Sequence, residues 1–187
     1  MSKIKTYVVP TITLFLICLV SAFLLGLTNE ATKGTIEAND LRAKQEAQKS
    51  VLPEGVDFSE EGENEFGSYA VAKDADGKTV GYAVTATGKG GYGGDIDLMV
   101  GIDNEGVVRN ISFLSIEETP SIGMKLKSNM NFLKQLFGLS GSAALTKNGG
   151  TVIAVTGATK TSTGITNAVD NALHCYSIIN GEVKNDG

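Results

Sequence analysis

The chain reads as an α+β protein, with a single N-terminal transmembrane helix followed by an extracytoplasmic domain whose twisted, mainly antiparallel sheet is packed by helices. Three observations predict this. No charged residue occurs from Thr6 to Asn29, and Val8 to Leu27 is almost continuously apolar. At about 1.5 Å per residue, some twenty residues match the roughly 30 Å of a bilayer core. Between residues 68 and 116 the chain alternates with period two around Asp-Gly and Asp-Asn-Glu-Gly turns, the pattern of hairpins. Near the C-terminus, Ile165, Ala168, Val169, Ala172, Leu173 and Tyr176 recur at helical spacing, forming one apolar stripe suited to packing on a sheet.

Residues 1–28 are assigned to a cytoplasmic N-terminus and the transmembrane helix. A cleaved signal fits less well, because its apolar region is shorter and ends at a small-x-small site. Here the run continues past Ser21-Ala22 through Phe23, Leu24 and Leu25, and Cys18 follows Ile17 where a lipoprotein signal wants a small residue. Lys3 and Lys5 are the only charges before the helix; positive flanks stay in the cytoplasm, so the remainder is expected outside. That remainder holds 14 basic and 21 acidic residues, a net charge of −7, which argues against nucleic acid as a partner. Two cysteines, one in the apolar run, cannot supply a disulfide framework or a zinc site.

Residues 29–66 are expected to form a juxtamembrane helix, from about Lys33 to Ser50, and a linker. Ala, Glu, Lys, Gln and Leu favour helix, and Pro53 stops it. The acidic stretch through Glu60, Glu61, Glu63 and Glu65 reads as a solvated loop. Residues 67–187 are expected to be the cofactor-bearing domain. "SYAVAKDADGKTVGYAVTA" gives one hairpin, and strands near Ile96–Ile102 and Val107–Ile116 give another. Asp74-x-Asp76-Gly resembles part of a calcium loop, but the position for its bidentate Glu is Thr85, so a plain turn is expected.

Gly88, Gly90 and Gly93 match the dinucleotide fingerprint GxGxxG literally. The fingerprint needs a helix after it, whereas a strand follows here, so the glycines are read as a loop that lets backbone approach a flat ligand, with Tyr92 as a stacking ring. Past Pro120 a helix is expected from Asn129 to Phe137, with Met130, Leu133 and Phe137 on its inner face and Gly138 at its end. "TVIAV" reads as a short strand leading into "VTGATKTSTG", where a helix opens at Ser162 or Thr163. Five hydroxyls crowd this turn. They suit helix capping, and equally an anion held at a helix N-terminus. Gly-Lys-[Ser/Thr] is absent, which argues against a nucleotide hydrolase. His174 reads as a packing or surface residue and not a ligand, and Cys175 as structural.

"TGATKTS", Thr156 to Ser162, resembles the [S/T]GAT-x-[S/T] flavinylation motif of membrane-anchored FMN-binding domains. These are typified by the G subunit of the Rnf electron-transport complex and the C subunit of the sodium-pumping NADH:quinone reductase. "GGYGGDIDLMVGID" and "EETPSIGMK" (Glu117 to Lys125) resemble further family segments, in the expected order. The chain departs from the pattern at Ser121-Ile122, where the family has Gly-Leu, and at Ile153, where related motifs carry Asp.

The resemblance implies FMN joined by a phosphoester bond to Thr159, with Thr156, Gly157, Ala158, Thr161 and Ser162 around the phosphate. It places the isoalloxazine against Glu118, Thr119, Ile122, Gly123 and Met124, with Tyr92 as an outer contact. It further implies a flavin transferase for maturation and other subunits of a membrane electron-transport complex as partners. The chain is then an electron relay in an ion-translocating ferredoxin:NAD oxidoreductase, with no substrate turnover of its own. Two alternatives stand beside it: a stand-alone flavinylated extracytoplasmic reductase or sensor, and a cofactor-free binding module in which the hydroxyls only cap a helix.

Overall fold

A computed structural model describes residues 2–59, 62–116 and 123–185. The chain divides into two compact units, Met1–Ala43 and Lys44–Gly187. Helix α1 runs from Ser2 to Val51, where the sequence suggested two helices with a break near residue 30. Nothing between Thr28 and Lys33 stops a helix: there is no Pro or Gly, and Thr28 and Thr32 fold their hydroxyls back onto the carbonyls of Leu24 and Thr28. In the first unit the large apolar side chains from Tyr7 to Leu27 are exposed, and this stretch is long and apolar enough to cross a membrane. Thr11 and Thr13 donate to the carbonyls of Tyr7 and Val9, which satisfies both hydroxyls where a bilayer offers no water.

The second unit is built on an antiparallel sheet ordered β1-β3-β4-β5-β6, with β2 also paired to β3. Its strands are β1 (Asp57–Phe58), β2 (Gly62–Asn64), β3 (Gly67–Lys73), β4 (Thr79–Gly88), β5 (Ile96–Asp103) and β6 (Val108–Ile116). The β3–β4 and β5–β6 turns are wired alike. Asp74 accepts the N–H groups of Asp76 and Lys78, and Asp103 those of Glu105 and Val107. Both carboxylates are therefore spent on their own turns, as a plain hairpin requires. The linker supplies β1, and the stretch expected to be an acidic loop supplies β2, both of which pair with β3; Glu60 and Glu61 lie outside the described residues.

Strand alternation sends Val84, Ala86, Ile96, Leu98, Val100 and Ile102 into the larger core, where helix α3 (Thr159–Asn185) covers β4 and β5 with Ile165, Ala168, Val169, Ala172 and Leu173. The opposite face presents Ala72, Ala83 and Met99, which bury Ala47, Val51 and Leu52. The α3 stripe is the one the sequence displays, though the helix starts at Thr159, three or four residues before the predicted Ser162 or Thr163.

Two predicted elements shrink. Helix α2 spans only Met130–Leu133, after a 3₁₀ turn at Gly123–Ser128. Its buried side chains are Phe132 and Leu133, followed by Leu136, while Met130 is exposed; the chain loosens to turns once these apolar residues are anchored. "TVIAV" makes a single bridge, Val152 to Leu145. Its other backbone groups find side chains in place of a strand: Gln135 grips both the N–H and the carbonyl of Ile153, and Ser162 accepts the N–H of Val155.

Candidate functional site

Four residues before α3 set the site. Ala158 N–H donates to the Val155 carbonyl at 3.0 Å, closing a turn in which Gly157 has φ +81°. A side chain is strained there, so the glycine is required by the turn. Ser162 then braces the turn from inside the helix. Its hydroxyl donates to the Ala158 carbonyl at 2.9 Å and accepts the Val155 N–H at 3.1 Å, and its own N–H donates to the same carbonyl at 2.9 Å.

The five hydroxyls divide by role. Ser162 and Thr163 are turned back onto carbonyls, Thr163 donating to Thr159 at 2.8 Å. Thr161 is only 1% exposed and makes no side-chain hydrogen bond among the described residues. Thr156 and Thr159 are exposed. None of these hydroxyls caps a first-turn N–H, so the N–H groups of Thr159, Lys160 and Thr161 have no acceptor among the described residues. Free donors at a helix start are an anion site with the helix dipole behind it.

The charges nearby fit an anion as well. The first turn of α3 contains no acidic residue. Lys160 lies with its ammonium 5.7 Å from the centre of the Tyr92 ring, and Lys147 donates to the Thr163 hydroxyl at 3.4 Å. The residues present thus suit a phosphate at Thr159: an exposed hydroxyl, three free N–H groups and cations, with no competing carboxylate in the turn.

A second segment is fastened to the same end of α3. Gly88 and Gly164 meet so closely that a Cβ on Gly88 would collide with the Gly164 carbonyl and the backbone of Ala168. Asn171 donates to the Thr87 carbonyl at 2.9 Å and Asn167 to the Lys89 carbonyl at 2.8 Å. The glycine-rich loop, residues 89–95, is therefore clamped over the first turns of α3, which brings Tyr92, 70% exposed, to Lys160. Met124, 39% exposed, stands on the Gly123–Ser128 turn, anchored by buried Leu126 and packed against α3. Glu118, Thr119 and Ile122, with Ser121, lie outside the described residues.

A family model described as an FMN-binding domain matches residues 91–174. The G subunit of the Na(+)-translocating ferredoxin:NAD(+) oxidoreductase complex of Acetobacterium woodii is 32% identical over 185 residues, covering 87% of this chain and 88% of its own. The G subunit of the ion-translocating oxidoreductase complex of Methanosarcina acetivorans is 30% identical over 97% of this chain and all of its own length. The chain belongs to the G-subunit family of ion-translocating oxidoreductase complexes. A solved structure, NqrC of Shewanella oneidensis, aligns with a TM-score of 0.49 at 17% identity over 72% of this chain and 74% of that one.

In this member of the G-subunit family, the matched FMN-binding region opens in the glycine-rich loop and closes late in α3. It therefore contains Tyr92, Met124 and the Thr156–Ser162 motif. It also contains residues that sequence reading missed. Asn167 and Asn171 stand at i and i+4 on α3, a spacing that could have marked them as a polar clamp. Lys147 has no such signal, being twelve residues before Thr159 and brought to the Thr163 hydroxyl only by folding.

His174 and Cys175 are structural. The His174 ring packs on Phe66 at 5.2 Å, with Nε2 3.6 Å from Asp170, whose carboxylate also accepts the Ala143 N–H. Burial pushes the Cys175 thiol pKa up, only partly offset by a hydrogen bond from Asn64, a direction that disfavours the thiolate.

Proposed function

We propose that this chain is the electron relay of an Rnf-type, ion-translocating ferredoxin:NAD oxidoreductase, carrying FMN as a phosphoester on Thr159. The observation that carries the reading is the start of α3, where an exposed hydroxyl stands among three N–H groups without acceptors among the described residues. FMN supplies the capacity to accept and pass electrons one or two at a time; the chain supplies its position and electrostatic surroundings.

Attachment would replace the Thr159 hydroxyl proton by the FMN phosphoryl group, so that the chain gains FMN less water; a flavin transferase would supply the flavin phosphate in activated form, the bond to the activating group breaking and that group leaving with the proton. An ester also prevents loss of the cofactor outside the cell, where no pool replaces it. Thr156 and the Gly157–Ala158 turn frame the phosphate, Ser162 holds that turn in shape, and Thr161 fills the buried side of the first helical turn. Glu118, Thr119, Ile122, Gly123 and Met124 are assigned to the isoalloxazine, with Tyr92 at its edge. The cofactor-bearing domain is assigned to residues 67–187, the transmembrane helix to 1–28, and the domain to the extracytoplasmic side, beside the other membrane subunits of the complex.

The test is intact-mass spectrometry with in-gel flavin fluorescence on full chain made with an active flavin transferase. Wild type should gain the mass of FMN less water, and Thr159→Ala should lose it without unfolding. Thr161→Ala should reduce attachment only in part. An unmodified wild type, or flavin retained covalently in Thr159→Ala, would refute the assignment.

A further inference from the structure

We propose that Lys147 is the positioning residue for the phosphate on Thr159, its ammonium serving as the counter-charge that holds the diester against the start of α3. This rests on Thr159 being the attachment residue. The lysine is delivered by a rigid turn. Thr146–Asn148 is a 3₁₀ turn tied at both ends, with Thr146 N–H on the Val152 carbonyl at 2.8 Å, Val152 N–H on Ala144 at 3.1 Å and Gly150 N–H on Leu145 at 3.1 Å. Leu145 and Val152 are both buried in the core beneath it. From this platform Lys147 Nζ reaches the Thr163 hydroxyl, whose own proton is given to the Thr159 carbonyl. The ammonium thus sits on Thr163, one turn along α3 from the attachment residue, and is linked through that hydroxyl to the Thr159 backbone carbonyl.

The arrangement is unfavourable without an anion. Helix N-termini repel cations, yet Lys160 lies in the first turn, Lys147 reaches Thr163 just beyond it, and the first turn holds no acidic residue. Neither lysine forms an ion pair among the described residues, in an exported segment that carries 21 acidic residues against 14 basic ones. Lys160 is engaged by the Tyr92 ring. Among the described residues Lys147 has only the Thr163 hydroxyl, a weak partner for an ammonium and one that a phosphate oxygen readily surpasses. A local rule broken at a site otherwise consistent with its fold points to a function that compensates for it.

The experiment uses the full chain in detergent, made with and without an active flavin transferase. Intact mass on wild type comes first: absence of flavin mass removes the attachment reading and this proposal together. On flavinylated protein, phosphorus NMR reads the diester itself. Lys147→Gln should move the ³¹P resonance and slow attachment about two- to fivefold, the scale of one partly exposed charge pair. Lys147→Arg should restore both. Lys78→Gln, an equal charge change in the β3–β4 turn, should alter neither.

An unmoved ³¹P resonance in flavinylated Lys147→Gln overturns the proposal. So does a drop in melting temperature that is equal with and without flavin while the resonance stays put, which would make Lys147 a brace for its loop. If the Gln variant accepts no flavin, Lys147→Arg decides: recovery of attachment with the wild-type resonance supports the counter-charge role, and failure to recover overturns it.

Discussion

Thr159 and Tyr176 lie on one helix in opposite environments, and their chemistry differs accordingly. Thr159 is exposed beside N–H groups that have no acceptor among the described residues, which leaves its hydroxyl accessible. Tyr176 is buried: its hydroxyl donates to the Asn104 carbonyl at 2.9 Å and its ring meets Tyr82 edge-on at 5.5 Å. Burial, chiefly, and then the nearby Tyr82 and Asp103 raise its pKa above the ordinary value. The native state therefore holds this proton at a pH where the unfolded chain has lost it. Stability from this group is complete below about pH 10 and falls as pH rises from there through the raised folded pKa. Tyr176→Phe should lose about 1 kcal/mol at neutral pH with the hydrogen bond, yet decline less steeply in alkali. Urea denaturation across about pH 8 to 11 measures both, and parallel alkaline slopes in the two proteins would exclude Tyr176 as the titrating group.

Among the elements, the junction of β4 with α3 controls the site. Gly88 and Gly164 let strand and helix backbones touch, while Asn167 and Asn171 bind the strand end and the loop beyond it. A methyl on Gly88 would press on backbone atoms that cannot swing aside. Gly88→Ala is thus expected to destabilise the domain by about 2 kcal/mol, as overpacking does, and to shift the glycine-rich loop. Gly181, on the same helix, has nothing within 4 Å of such a methyl, so Gly181→Ala should stabilise by up to about 1 kcal/mol through helix propensity alone. Chemical denaturation of both variants provides the check; a neutral Gly88→Ala would mean that the close approach does not hold the junction.

At the scale of the whole molecule, an apolar segment able to cross a membrane and a folded unit with its own core occupy one chain. The positive charges of Lys3 and Lys5 ahead of that segment favour an orientation with the N-terminus in the cytoplasm. Protease added to intact spheroplasts should then degrade the domain while sparing a cytoplasmic control protein; a domain cut only after the membrane is opened would reverse the orientation. In that orientation the exposed Thr159 would face outward, open to neighbouring subunits if it carries the proposed flavin.

The fold class was legible because it rests on periodicity. Alternation in the strands and the stripe from Ile165 to Tyr176 are set by side chains that must leave water; burial follows the stripe closely, whereas β5, covered on both faces, is buried at consecutive positions. The motif was legible as well, since a turn needing Gly157 and a run of hydroxyls are written locally. Short elements were not: whether "TVIAV" becomes a strand depends on finding an edge, and Gln135 and Ser162 took its hydrogen bonds first. By itself the sequence determined an apolar segment long enough to span a membrane, an α+β domain and the position of Thr159 within its motif. Only the tertiary structure decided that Ser162 faces inward as a strut, that the glycine-rich loop is clamped over α3, and that Lys147 stands beside the helix start. Those contacts join residues far apart in the chain, and their partners are chosen by packing that no local pattern encodes.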